Sequence, residues 1–120
     1  MWWGTAMEAP DPGALAAFYS RLLDRHIVHE EPGTSVVAVT EATYLVFQAA
    51  EDYVPPVWPP VEGQQRTMMH FDFQVGDLES AVAEAVELGA TVADHQPQEN
   101  VRVLLDPAGH PFCLCVETDS

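Results

Sequence analysis

The residues best suited to chemistry sit in short alternating runs. From Met68 to Val75, His70, Asp72 and Gln74 fall on one side, with Met69, Phe71, Phe73 and Val75 on the other. A period of two is that of a strand with one buried face. The last run repeats the pattern: Phe112, Leu114 and Val116 alternate with Cys113, Cys115 and Glu117. Between Thr43 and Gln48, Leu45 and Phe47 alternate with Tyr44, Val46 and Gln48. If the apolar sides pack on helices, His70, Gln48 and Glu117 come from three strands to one concave face. An ion held by imidazole, amide oxygen and carboxylate keeps open positions for a substrate's oxygens and polarises a carbonyl. Zinc, nickel, iron or manganese suits that mixed nitrogen and oxygen set. Asp72 is a candidate general base if burial raises its pKa, and it can equally orient His70. His70 has a second reading, as a cavity-lining histidine hydrogen-bonded to Glu117.

The other histidines attract less. His26 and His29 belong on opposite faces of an early strand, His95 lies in a polar segment, and His110 bonds backbone in a turn. Cys113 and Cys115 point the same way from one strand, a poor geometry for a disulfide between them. They read as buried, reduced core cysteines.

These runs need elements to hold them. Trp2–Glu8 reads as a strand. Asp11-Pro12 starts a helix with a carboxylate at the N-cap and proline in the first turn, and Leu15, Phe18, Tyr19 and Leu22 give it an apolar stripe to about Leu23. Strands follow at His26–Glu31, Thr34–Thr40 and Thr43–Gln48, then at Met68–Val75. Asp77 caps a second helix that Gly89 ends. Thr91–Ala93, Asn100–Leu105 and Pro111–Glu117 complete the strands, with Asp106-Pro107-Ala108-Gly109 as a turn. The order β-α-β-β-β occurs twice at an offset of 66 residues, pairing Asp11 with Asp77 and Leu22 with Leu88. One α+β domain, residues 1–120, is expected, of two βαβββ modules (1–50 and 67–120) forming a cupped eight-stranded sheet. The Pro-rich stretch 51–66 between them is a linker, whose Tyr53 and Trp58 either pack on the core or cover a ligand cavity.

Length and charge limit the alternatives. A chain of 120 residues with 48% apolar content supports one core. Nineteen carboxylates face four arginines, giving a net charge of −15. That field repels phosphate backbones and anionic lipid, so nucleic acid and membrane are excluded as partners. No apolar run reaches a membrane span, and Met1-Trp2-Trp3-Gly4 lacks the basic start of a signal peptide, so the expected compartment is the cytoplasm.

Three segments carry a family resemblance across the chain: Asp11-Pro12-Gly13-Ala14-Leu15-Ala16-Ala17-Phe18-Tyr19, His70-Phe71-Asp72-Phe73-Gln74-Val75-Gly76-Asp77-Leu78, and Asp106-Pro107-Ala108-Gly109-His110-Pro111-Phe112. The sequence resembles the vicinal oxygen chelate superfamily of glyoxalase I, extradiol dioxygenases and bleomycin resistance proteins. It looks most like the glyoxalase-like branch in which a Pro-Pro-x-Trp-Pro segment precedes the fifth strand. The resemblance implies paired modules and metal ligands from the first, fourth, fifth and eighth strands. It matches His70 to the fifth-strand place, Glu117 to the eighth, Gln48 to the fourth and Gly4 to the first. Glycine carries no ligand, so the implied set is incomplete.

Two functions follow. One is a metal-assisted lyase, isomerase or oxygenase acting on a small oxygen-bearing substrate, with Glu117 and Asp72 as catalytic groups. The other is a non-catalytic protein that sequesters a cationic aromatic compound, as in the bleomycin resistance branch. Trp2, Tyr44, Tyr53 and Trp58 would wall the cup, with Gln74 and Cys115 on its floor, in a field that draws in cations. The exposed sheet edges and the resemblance both imply a homodimer.

Overall fold

A computed structural model describes residues 1–117. It is an α+β fold of two β-α-β-β-β units, the first of residues 1–53 and the second from Val54 onward, each with a four-stranded sheet. The division falls after Tyr53, so the Pro-rich stretch from Val54 onward packs with the second unit.

In the first unit, β1 (Gly4–Ala9) leads to α1 (Pro12–Leu23), then β2 (Ile27–Glu31), β3 (Thr34–Ala38) and β4 (Tyr44–Ala49), with strand order β1-β4-β3-β2. The Asp11 side chain accepts from the Ala14 N–H, and Pro12 follows with no donor to leave unpaired. Asp24 closes α1 in the left-handed region at φ 52°. Leu15, Ala16, Phe18 and Tyr19 are buried against β3 and β4, where the Tyr19 ring stacks on Phe47 at 5.6 Å. β1 runs parallel to β4, pairing Gly4 with Tyr44, Ala6 with Val46 and Glu8 with Gln48. These six residues share the sheet face opposite α1, because Phe47 and Leu45 point at the helix.

The second unit repeats the plan. β5 (Phe71–Gln74), α2 (Leu78–Leu88), β6 (Thr91–Val92), β7 (Val101–Leu105) and β8 (Pro111–Cys115) form a sheet of order β5-β8-β7-β6. Asp77 caps α2 by accepting from the Ser80 N–H, and Gly89 ends it at φ 121°. Phe112, Leu114 and Leu104 are buried on the helix side, and Phe73 and Phe112 meet at 6.2 Å. β5 runs parallel to β8, pairing Phe71 with Phe112, Asp72 with Cys113 and Gln74 with Cys115. In the turn before β8, the buried Asp106 carboxylate accepts from the Ala108 and His110 N–H groups, and Gly109 takes φ 91°.

β6 is only two residues long, and a side chain continues its work. The Gln96 amide donates to the carbonyls of Ala93 and Val103, at 2.7 and 2.9 Å, and its oxygen accepts the Val103 N–H at 2.8 Å.

Several strands are shorter than expected. β1 begins at Gly4 rather than Trp2, β3 ends at Ala38 rather than Thr40, and β8 ends at Cys115 rather than Glu117. β5 begins at Phe71 rather than Met68, and Met69 is 75% exposed instead of facing α2. The reason lies in its partner: β8 starts at Pro111, which has no N–H, so residues before Phe71 find no ladder.

Candidate functional site

The second unit's sheet face away from α2 gathers the chemistry. His70 lies just before β5, Asp72 is two residues on, and Cys113 stands opposite Asp72 on β8. One donor atom from each, the imidazole nitrogen, the carboxylate oxygen and the thiol sulfur, lies within 4.8 Å of the other two. His70 Nε2 and Asp72 Oδ1 are 3.8 Å apart, and both side chains are about half open to solvent. Cys113 is 7% exposed. Burial first, and then the negative Asp72 carboxylate to which the thiol donates, push its pKa up to about 11. Both cysteines are free thiols, as the sequence implied.

The Pro-rich stretch covers part of this face. Trp58 packs on the buried cluster of Ala93, Val103 and Cys113, and its indole N–H donates to the His95 carbonyl at 3.2 Å. Pro55 lies against Gly109 so closely that a Cβ there would come within 2.8 Å of it. Trp58 is therefore anchored in the second unit's fold.

Of the expected metal set, Gln48 belongs to the first unit, while His70 and Glu117 lie at different heights in the second. Phe71 is opposite Phe112, so Glu117 lies five residues beyond, next to the end of β5. At ~3.3 Å per residue the three steps from Phe112 to the end of β8 at Cys115 already cover roughly 10 Å. Glu117 is exposed and stands apart from the His70 group. Gln74 and Cys115 face each other one step along from Asp72 and Cys113, and the Cys115 thiol donates to the Phe73 carbonyl.

The register also aligns the two halves strand by strand. With Ala6 opposite Val46 and Asp72 opposite Cys113, the first-unit counterparts of His70, Asp72 and Cys113 are Gly4, Ala6 and Val46. Gln48, opposite Glu8, is the counterpart of Cys115 instead. None of the three counterparts carries a donor side chain. At Gly4 no side chain fits, since a Cβ would lie 2.2 Å from the Tyr44 carbonyl oxygen. Trp3 stacks on Tyr44 at 4.5 Å, Trp2 is exposed, and Tyr53 is partly buried at the unit's end.

The residue that sequence reasoning left out of the site is Cys113. The signal that finds it is the repeat itself: parallel pairing of the first and last strand in each unit sets Cys113 beside Asp72. His29 bonds Glu31 at 3.1 Å on the exposed strand β2.

Residues 4–115 match the family described as "Glyoxalase-like domain". The chain belongs to the glyoxalase-like domain family. Its fold is accordingly that of the vicinal oxygen chelate superfamily, and solved structures agree. A glyoxalase/bleomycin resistance protein/dioxygenase family enzyme from Burkholderia phytofirmans PsJN is 17% identical with a TM-score of 0.72, covering 95% of this chain and 96% of that one. A fosfomycin resistance protein, FosX, from Listeria monocytogenes is similar at 13% identity and TM-score 0.71, covering 98% and 90%. That structure is a mutant complexed with Mn(II) and 1S,2S-dihydroxypropylphosphonic acid. A glyoxalase-related enzyme from Fulvimarina pelagi is 15% identical with TM-score 0.70, covering 98% and 88%. A comparison with curated protein sequences gives no match. Among the described residues no helix of this glyoxalase-like chain is long and apolar enough to cross a membrane.

Proposed function

We propose that this glyoxalase-like protein binds a small oxygen-bearing molecule on the face carrying His70, Asp72 and Cys113, and acts on it as a metal-assisted lyase, isomerase or oxygenase. The convergence of those three donors carries the reading. They fit a divalent ion, because nitrogen, oxygen and sulfur donors approach one another from adjacent strands with no intervening side chain required. Bound there, such an ion would supply Lewis acidity to a substrate carbonyl or hydroxyl oxygen. His70 presents its Nε2 on the open side. Asp72, hydrogen-bonded to Cys113 and partly solvated, is the group placed to take a proton from a bound substrate. Trp58 keeps water from the Cys113 end, and Gln74 and Cys115 extend the floor. The FosX relative, with its ion and its diol ligand, supports the substrate class. A cytoplasmic location and a homodimer complete the reading, the first supported by the reduced thiols.

Metal analysis of the purified protein, joined to thermal shifts with Zn²⁺, Ni²⁺, Mn²⁺ and Fe²⁺, tests this. Binding should disappear in His70→Ala and weaken in Asp72→Ala, and should survive Glu117→Ala and Gln48→Ala. Loss in Glu117→Ala alone, with His70→Ala unaffected, would return the site to the other end of β8.

A second reading, sequestration of a cationic aromatic compound, is favoured by the first unit, where Gly4, Ala6 and Val46 stand in the places of His70, Asp72 and Cys113. The −15 charge and the exposed Trp2 and Trp3 beside Tyr44 suit such a ligand. A thermal shift with cationic dyes that fades in salt, without any shift from metals, identifies this case.

A further inference from the structure

We infer that the ion held by His70, Asp72 and Cys113 is a thiophilic one of the zinc, cobalt or cadmium class, taken through a Cys113 sulfur bond, in preference to manganese or magnesium. This rests on the proposal that these three residues hold a metal, and it narrows the open choice among zinc, nickel, iron and manganese.

The argument is in the placement of the donors. Two of them, His70 and Asp72, stand on the solvent side, each about half exposed. The third, the Cys113 sulfur, is the inner one, 7% exposed and backed by Val103, Ala93 and Trp58. An ion entering between the imidazole and the carboxylate therefore meets sulfur as its deepest contact. The register holds it there: Cys113 is paired to Asp72 on one side and to Val103 on the other, in the middle of its sheet. Sulfur donors favour zinc and its softer relatives, whereas manganese and magnesium favour sites built from carboxylate, carbonyl and water oxygens. A thiolate with one carboxylate also balances a divalent charge, leaving a neutral site beneath the solvent-facing imidazole. The second thiol does not compete for the role. Cys115 donates to the Phe73 carbonyl and lies outside the three-donor group.

Cobalt substitution reads the sulfur bond directly, because a thiolate on Co(II) gives an intense near-ultraviolet charge-transfer band that nitrogen and oxygen donors do not. The full chain, reduced and stripped of metal, is titrated with CoCl₂ and then with ZnCl₂ or MnCl₂. We expect the band to saturate at one equivalent, to be displaced by zinc, and to resist about a tenfold excess of manganese. The band should persist in Cys115→Ser and be absent in Cys113→Ser. Because Cys113 is buried, circular dichroism accompanies that variant, and His70→Ala, on a half-open side chain, should abolish binding without touching the core. Cobalt and manganese binding alike, without the band, overturns the sulfur assignment while leaving a metal at His70 in place. Failure of every divalent ion to bind the wild-type chain overturns the metal proposal itself, and this inference with it.

Discussion

Replacing Gly4 with alanine is expected to destabilise the first unit by about 1.5–3 kcal/mol, and two routes of relief bracket that figure. The added Cβ would stand 2.2 Å from the Tyr44 carbonyl oxygen, roughly 1 Å inside a comfortable C···O approach. If β1 holds its place, β4 must shift, and overpacking of this kind costs about 1–3 kcal/mol. If instead residues 1–4 peel away, the Tyr44 N–H loses its 3.0 Å bond to the Trp3 carbonyl, and the Trp3–Tyr44 stack is lost. Those contribute about 1 and 0.5–1.5 kcal/mol. For a chain of this length the melting temperature should fall by roughly 5–12 °C. Gly76→Ala is the matched control, since a Cβ there meets nothing within 4 Å; its midpoint should stay put or rise slightly. Thermal melts followed by circular dichroism compare the two. Equal midpoints for Gly4→Ala and Gly76→Ala would refute the steric argument. With it would go the claim that no ligand side chain can be introduced at the head of β1.

Three further outcomes follow from contacts described above. Folding holds the Cys113 proton more tightly than the unfolded chain does, because its pKa is raised from 9.0 to about 11. Its contribution is therefore complete below about pH 9 and is lost as pH climbs towards 11, by up to about 2–3 kcal/mol; urea midpoints of wild type against Cys113→Ala across that range measure it, and parallel curves would contradict it. Trp58→Ala removes the cover on Ala93, Val103 and Cys113 and should cost about 2 kcal/mol, together with faster alkylation of Cys113 at fixed pH. Gln96→Ala takes the acceptor from the Val103 N–H and a donor from the Ala93 and Val103 carbonyls, the latter keeping the Ala93 N–H, a loss of about 1–3 kcal/mol that should appear as faster hydrogen exchange at Val103.

What the sequence revealed, and what it hid, follows from the reach of each signal. The helix starts at Asp11-Pro12 and Asp77, the stop at Gly89 and the turn at Asp106–Gly109 are set by residues within a few positions of one another, so they were legible. The β-α-β-β-β repeat was legible too, because its offset of 66 aligns equivalent caps. Strand ends were less so: Met69 alternates correctly with Phe71 and Phe73, but only a partner's backbone extends a strand, and β8 begins too late to supply one. Height along the strands was hidden for the same reason. Alternation assigns His70, Cys113 and Glu117 to one face, yet it is blind to height along the strands. That height is a register between segments some 40 residues apart, and it brings Cys113, not Glu117, to Asp72.

Gln96 has a consequence for how copies of the chain treat one another in a crowded solution. The outer margin of a sheet is where a stray strand can dock and begin an aggregate. β6 ends after Val92, and beyond it only the Ala93 N–H reaches the β7 backbone, leaving the Val103 N–H to be met by another group. The carboxamide at position 96 fills that opening with two bonds to Val103, one given and one taken as a foreign peptide would do, and a third that ties it to Ala93. One side chain thus shields against fibril-like recruitment a border that a longer sixth strand would merely move outward.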